Sequence, residues 1–421
     1  MLLRAAKIAF LLLVFSIPLV RPFNLSFAGF SLPFTDLIFP IVFVLWIASI
    51  LRGELEFKIQ PFHWFVAAYA AALMLSSIFS TQPSRSFIKL AGEFYLFGLS
   101  FISYSFVRDS AFVKRIVYAF LAGTSITILA SLAGFVFFYF GYKTQADNFF
   151  LSHVGSLPAG NYPRIHALFA NANMMCNFLN VTLMLSLLSG YLGWIRKWLS
   201  LVLTTGIWFA AILTFSTGLG GMLLSTGLWF GTVYAGRKNE VFKSRLIKFV
   251  GIAAAILILA AACVSPDTAN TAQDFTVPGV EQKLEPSVRI LVWQDSIRTF
   301  SEYPILGKGT GIDPANVFYS TLSGQNQILS DAHNMYLSVL GQAGLIGFVA
   351  FAGLLVFLIR RFKFEIGDER ATIETALSCA IAGALLYQGL TGSFEDARHL
   401  WILIGMFAGI SAYDLDSRLS A

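Results

Sequence analysis

Along this chain, apolar stretches of about 20 residues recur, separated by short linkers in which many of the Lys and Arg residues collect. A soluble element alternates apolar and polar positions so that one face can meet water, whereas a segment apolar on all sides for that length matches the hydrocarbon core of a bilayer. Of 421 residues, 57% are apolar and 12% charged, about half the charge of an ordinary soluble domain. An ordinary cytosolic enzyme is thereby excluded. The chain reads as an all-α polytopic membrane protein, a single integral membrane domain over 1–421 with about 12 transmembrane helices. The candidate spans lie near 5–20, 33–50, 62–79, 88–107, 113–140, 167–190, 198–215, 218–235, 246–264, 334–358, 371–390 and 397–413. The run from Ala5 to Val20 has signal-peptide character, but no small-residue cleavage site follows it, and it reads as a retained first helix. Cys176, Cys263 and Cys379 lie in or at the ends of apolar runs without metal-ligand spacing and read as packing residues.

The formal charge of +6 matters less than where the basic residues sit. With the N terminus in the cytoplasm, 19 of the 29 Lys and Arg residues fall at cytoplasmic ends and loops, from Arg4 and Lys7 through Arg52, Arg108, Arg196 and Arg361 to Arg418. Both termini are therefore expected in the cytoplasm. Two long segments then lie outside: 141–166 and 265–331, the latter a 67-residue loop between spans 9 and 10. Long loops on a rigid scaffold are where chemistry is usually placed, so the active face is expected to point outward.

Within the large loop, the run from Ser287 to Pro304 reads as an amphipathic helix. Ile290, Trp293, Ile297 and Phe300 recur at three and four residues, and Pro304 ends it. Such a helix can lie along the membrane interface with Trp293 at headgroup depth. The glycine-rich run Gly307–Pro314 lacks nucleotide-loop spacing and reads as a turn, or as a bend offering backbone N–H groups to an anion.

Candidate chemistry gathers at the outer ends of two spans. In Asp331-Ala-His-Asn-Met-Tyr, His333 has a carboxylate two residues before it and suits a general base; the same residues also suit a capped helix start. Gly341, Gly344 and Gly347 beyond it would allow close approach of a neighbouring helix. The second group is Arg164, His166, Asn171, Asn173 and Asn177; buried asparagines such as Asn173, Asn177 and Asn180 either hold helices together or line a cavity. Arginine matches phosphate oxygens with a fixed fork of donors, which marks Arg164, Arg289, Arg298 and Arg398, although each could instead snorkel to the interface and Arg398 could pair with Glu395. Glu93, inside its span, is either functional or paired with Lys89.

The string His333-Asn-Met-Tyr-Leu-Ser-Val-Leu-Gly-Gln-Ala-Gly-Leu-Ile-Gly347 resembles the signature of the O-antigen ligase and polymerase superfamily. The resemblance extends to Arg164-Ile-His-Ala-Leu-Phe-Ala-Asn-Ala-Asn173, similar to a family R-x-x-G-x-F-x-N-x-N segment, and to Arg289 and Trp293 followed by Gly307-Lys-Gly-Thr-Gly311. Two departures stand out. Thr217 occupies the Arg position of a family T-x-S-R-G string in Thr214-Phe-Ser-Thr-Gly218, and Ala167 occupies the glycine position of the first segment.

The resemblance implies about a dozen transmembrane helices, a large periplasmic loop, and a site on the periplasmic face of the bacterial inner membrane. The partners it implies are an undecaprenyl-diphosphate-linked glycan and either a lipid A-core or a second lipid-linked glycan as acceptor, with membrane lipids around and no nucleic acid. No cofactor and no metal are expected, because the lipid diphosphate is itself the leaving group. On this reading His333 deprotonates or orients the acceptor hydroxyl, and Arg164 and Arg289 bind the diphosphate. Arg398, Arg298, Asn173, Asn334, Tyr336, Trp293 and His166 contribute to substrate binding. Ligase is preferred over polymerase, with protein O-glycosylation as a further acceptor choice. A secondary transporter, the alternative from another class, would show repeated halves with matching broken helices, and no such repeat is present.

Overall fold

Proline and short polar side chains decide where the helices begin. The computed structural model describes residues 1–21, 25–27, 30–140, 151–154, 162–235, 264–265, 275–276, 283–286, 288–320, 326–391 and 397–419. These form α1 (Leu2–Ser16), α2 (Phe34–Leu51), α3 (Pro61–Ile78), α4 (Pro83–Phe106), α5 (Ser110–Tyr139), α6 (Ala172–Tyr191), α7 (Lys197–Ile212), α8 (Leu219–Ala235), α9 (Val288–Glu302), α10 (Met335–Ile359), α11 (Glu369–Gln388) and α12 (Arg398–Leu419). Pro61 and Pro83 open α3 and α4 at a position whose N–H would have no helical partner anyway. Asp109, Asn171, Asn334 and Asp368 cap α5, α6, α10 and α11, each side-chain oxygen accepting from an N–H of the first turn. Short antiparallel hairpins occupy the loops, among them Leu151–Val154 with Tyr162–Ile165 and Val317–Ser320 with Asn326–Leu329.

Eleven of the expected spans coincide with helices; of the span at 246–264, residues 246–263, Cys263 included, lie outside the described residues. The remaining described helix is α9, in the large loop. Among the described residues five helices, α2, α3, α5, α6 and α10, are long and apolar enough to cross a membrane, where about twelve were expected. The physical reason is visible in the others. Helices α1, α7 and α8 are shorter than 18 residues, and charged side chains enter α4 (Arg85, Lys89, Glu93) and α11 (Glu369, Arg370, Glu374). Mostly helical and apolar, the chain is consistent with an all-α membrane protein.

One continuous apolar core runs from Ala6 on α1 to Ile410 on α12. Helix α6 is buried on nearly all sides, whereas α2 and α10 expose Ile41, Val44 and Val349. The closest helix pairs are α4 with α12, α1 with α2, α8 with α11 and α3 with α10. Asn180 holds α6 between two neighbours, its Nδ2 donating to Ala380 O at 3.3 Å and its Oδ1 accepting from Ser225 at 2.8 Å.

The bundle has two chemically different ends. At one, Met1 meets Glu54 at 3.0 Å, Lys7 meets Asp109 at 3.0 Å, and Trp194 Nε1 donates to Glu369 at 3.1 Å. At the other, Arg21 N donates to Leu168 O at 2.8 Å, which ties the first loop to the segment before α6, and Thr81 N donates to Lys308 O at 3.0 Å, which ties the α3–α4 turn to the large loop.

Gly344 of the His333–Gly347 string serves a purpose other than the helix contact expected of it. Gly344 has φ +61° inside α10, so the helix is broken there. The backbone of 304–309 inserts into the break: Leu345 N donates to Pro304 O at 2.8 Å, Ile346 N to Ile305 O at 3.2 Å, Lys308 N to Gly341 O at 2.9 Å and Gly309 N to Gln342 O at 3.0 Å. A Cβ on Gly307 would overlap the Gln342 backbone, and one on Gly344 the Ile305 backbone. What approaches closely is a loop. The same contacts occupy the N–H groups of the Gly307–Pro314 turn: Gly307 N donates to Tyr303 O, and Gly311 N to Gln342 Oε1. As a result, the Lys308, Gly309 and Gly311 N–H groups point at protein oxygens in place of an anion.

Candidate active site

Three non-glycine residues among those described take a left-handed backbone: Ala167 (φ +47°), Phe215 (φ +45°) and His333 (φ +48°). Such a conformation costs a side-chain-bearing residue roughly 1–3 kcal/mol and persists only where the surroundings impose it. Each of the three lies in a different segment, and those segments assemble one site: 164–173 leading into α6, the turn 214–218 between α7 and α8, and 331–336 leading into α10.

The turn 214–218 is the hub. Arg164 Nε donates to Thr214 O at 3.1 Å, beside a main-chain bond from Ile165 N to Leu213 O at 2.9 Å. Its Nη2 reaches Asn173 Oδ1 at 3.1 Å, so Asn173 orients the guanidinium. From the other side Arg289, in the first turn of α9, donates from Nη1 to Thr217 Oγ1 at 3.0 Å and to Leu390 O at 3.3 Å. Position 217 thus bears a hydroxyl that receives an arginine from α9, at the place where the resembling string carries its own arginine. The Tyr387 ring packs where a Gly218 side chain would stand, and its hydroxyl donates to Asn173 O, closing the loop back to Arg164.

His333 stands at the start of α10. Its backbone N–H donates to Asp331 Oδ1 at 3.0 Å and its Nδ1 lies 3.5 Å from Asp331 Oδ2, an arrangement that holds both the left-handed backbone and the ring. Burial pushes the imidazole below its ordinary pKa, the Arg289 charge pushes the same way, and Asp331 opposes both. The net result is a ring that is neutral near pH 7, the form that accepts a proton.

The other residues named from sequence divide by what they touch. Trp293 donates from Nε1 to Ala332 O at 3.0 Å, which fixes α9 against the His333 segment. That geometry differs from a helix lying free along the interface. The buried stripe of α9 is Val292, Ser296 and Thr299, while Ile297 is half exposed, because small hydroxylated side chains let α9 approach α10 near Gly341. Asn334 is the α10 cap, accepting from Tyr336 N and Leu337 N at 3.0 and 3.2 Å, and Tyr336 OH donates to Leu385 O at 3.0 Å. His166 is buried beside Ala167. Arg298 is 69% exposed and is met on its own helix by Asp295 at 2.6 Å and Glu302 at 3.8 Å.

Arg398 is engaged elsewhere. It forks onto Asp36 of α2, Nε to Oδ1 at 3.0 Å and Nη2 to Oδ2 at 2.9 Å, with the Tyr95 ring 5.7 Å away. The pairing considered from sequence was with Glu395, which lies outside the described residues. Among the described residues no group of three His, Cys, Asp or Glu side chains converges as a metal site.

A family model described as O-antigen ligase matches residues 111–352, more than half of the chain. The chain belongs to the O-antigen ligase family. The matched region holds all three site segments together with α9 and the broken part of α10, and leaves Arg398 and its Asp36 partner outside. No curated protein matches the chain. Membership in this family of ligases and polymerases assigns the protein to polysaccharide biosynthesis, acting on lipid-linked glycans. Sequence reasoning named Arg164, Arg289 and His333. It did not find Thr217 as the seat of Arg289 or the role of Tyr387, because those contacts join residues 72 and 214 positions apart and leave no local pattern.

Proposed function

We propose that the protein is a glycosyltransferase of the ligase type, moving a polysaccharide from undecaprenyl diphosphate to a lipid A-core acceptor at the periplasmic face of the bacterial inner membrane. The observation that carries this reading is the joint seating of Arg164 and Arg289 on the 214–218 turn, with the Arg289 charge acting on His333.

In the reaction, the acceptor hydroxyl oxygen forms a bond to the anomeric carbon while the bond from that carbon to the diphosphate oxygen breaks. The electron pair passes to the diphosphate, where Arg164 and Arg289 meet the accumulating charge. The hydroxyl proton passes to Nε2 of His333, whose Nδ1 side faces Asp331. Tyr387 and Asn173 act as positioning residues through Arg164. Because the lipid diphosphate is the leaving group, the reading includes no cofactor. The outward orientation rests on the basic residues: Arg52, Arg108, Arg196, Arg361 and Arg370 lie at the end opposite the site, which the positive-inside rule assigns to the cytoplasm along with both termini.

The test uses purified protein in nanodiscs with undecaprenyl-diphosphate-linked glycan, offered lipid A-core or a second lipid-linked glycan. Product on lipid A-core, lost in His333→Ala and Arg289→Ala, is expected. A ladder built only from lipid-linked glycans would make the protein a polymerase, and no product with either acceptor would reject the transfer reaction.

A further inference from the structure

On the far side of the α10 start from the arginines lies a cleft of about 470 Å³, within the ~300–1,000 Å³ of small-molecule sites. Arg85 and Lys89 of α4, Asp313 of the glycine-rich turn, Asp331, and Ser338 and Gln342 of α10 line it. Successive helical residues are turned by about 100°, so Ser338 and Gln342 share a face while Tyr336 is directed elsewhere, its hydroxyl on Leu385 of α11. Arg289 sits on that α11 side, at Leu390 O. Asp331 belongs to both regions: its carboxylate accepts from His333 N–H, and the residue lines the cleft.

The lining discriminates among ligands. Two cations and two carboxylates share its lining, with Arg85 Nη2 and Asp313 Oδ2 paired at 3.0 Å. A diphosphate entering here would meet Asp313 and Asp331, whereas vicinal hydroxyls can donate to the carboxylates and accept from Arg85, Lys89 and Gln342. The site therefore suits a neutral, hydroxyl-rich ligand. We infer that this cleft binds the terminal saccharide of the acceptor, and that the Asp331 border delivers its reacting hydroxyl to His333 while the donor diphosphate lies on the arginine side. This inference rests on the transfer reaction proposed above.

The experiment compares the full-length wild type with Ile88→Trp, which fills the cleft from an exposed lining position, and with Asp313→Asn, which keeps the shape and removes one carboxylate. Initial rates are measured in nanodiscs while lipid A-core and undecaprenyl-diphosphate-linked glycan are titrated in turn; saturation-transfer NMR follows binding of the delipidated core oligosaccharide. Both variants are expected to raise the acceptor KM about tenfold, to leave the donor KM within twofold, and to lose the NMR signal. An unchanged acceptor KM, or a rise in the donor KM in its place, would overturn the inference and leave the transfer reaction standing. A wild type that transfers to neither lipid A-core nor a second lipid-linked glycan would reject both. Should Ile88→Trp fail to elute as a single species, Asp313→Asn decides the matter alone.

Discussion

The same backbone conformation is supplied differently by two helix ends at the basic end of the bundle and by the three segments of the site. At the basic end, α2 and α6 finish in left-handed glycines, Gly53 (φ +70°) and Gly193 (φ +69°). Each completes the same closing motif, with Glu54 N on Ser49 O at 2.9 Å and Trp194 N on Ser189 O at 2.9 Å. Nothing stands within 4 Å of a Cβ at either position, so glycine is there for its dihedral alone. At the site end, Ala167, Phe215 and His333 adopt the conformation with side chains attached. The contrast separates turns that merely end a helix from turns that hold functional groups in place against a backbone cost.

His333→Gly breaks this comparison most severely. It relieves the backbone while deleting the ring, so transfer should fall by roughly 10²–10⁴-fold with no loss of thermal stability; a variant that is active, or one that is inactive and unfolded, would contradict the assignment. Arg289→Gln should lower the rate about 10–100-fold in the nanodisc assay, the scale of one charge-assisted contact. The backbone terms come next. Gly53→Ala should cost about 1–2 kcal/mol, read as a lowered melting temperature with transfer retained, because that turn lies at the other end. Ala167→Gly should do the opposite and stabilise by about 1 kcal/mol or less, since it restores the residue the left-handed position favours. The smallest effect is on pH. Activity requires neutral His333, so the rate should fall as pH drops through its pKa, which lies below the ordinary value of about 6.5. Asp331→Asn removes the influence that raises this pKa, and the acid limb of the rate profile should move to still lower pH.

These expectations indicate where the sequence was legible. The apolar runs placed eleven helices, since span length is set by the bilayer and needs no tertiary information. Arg164, Arg289 and His333 were visible because arginine and histidine at the ends of apolar segments are chemically conspicuous. The buried face of α9 was misread: Val292, Ser296 and Thr299 are inside because the neighbour is a glycine-bearing helix, and apolar periodicity cannot register a hydroxyl stripe chosen for size. Arg398 was read with its sequence neighbours, yet its partner Asp36 is 362 positions away. The cleft was invisible for the same reason, as it forms only when the α4 start and the glycine-rich turn meet.

The break in α10 carries a consequence for biogenesis. A helix interrupted at Gly344 enters the bilayer with backbone groups unsatisfied, and each costs several kcal/mol in hydrocarbon until it finds a partner. The partner is the 304–309 strip, synthesised just ahead of α10. Closing the break in α10 is thus coupled to the return of a segment made before it, so a chain severed between that strip and α10 would lack the piece that seals its own wall.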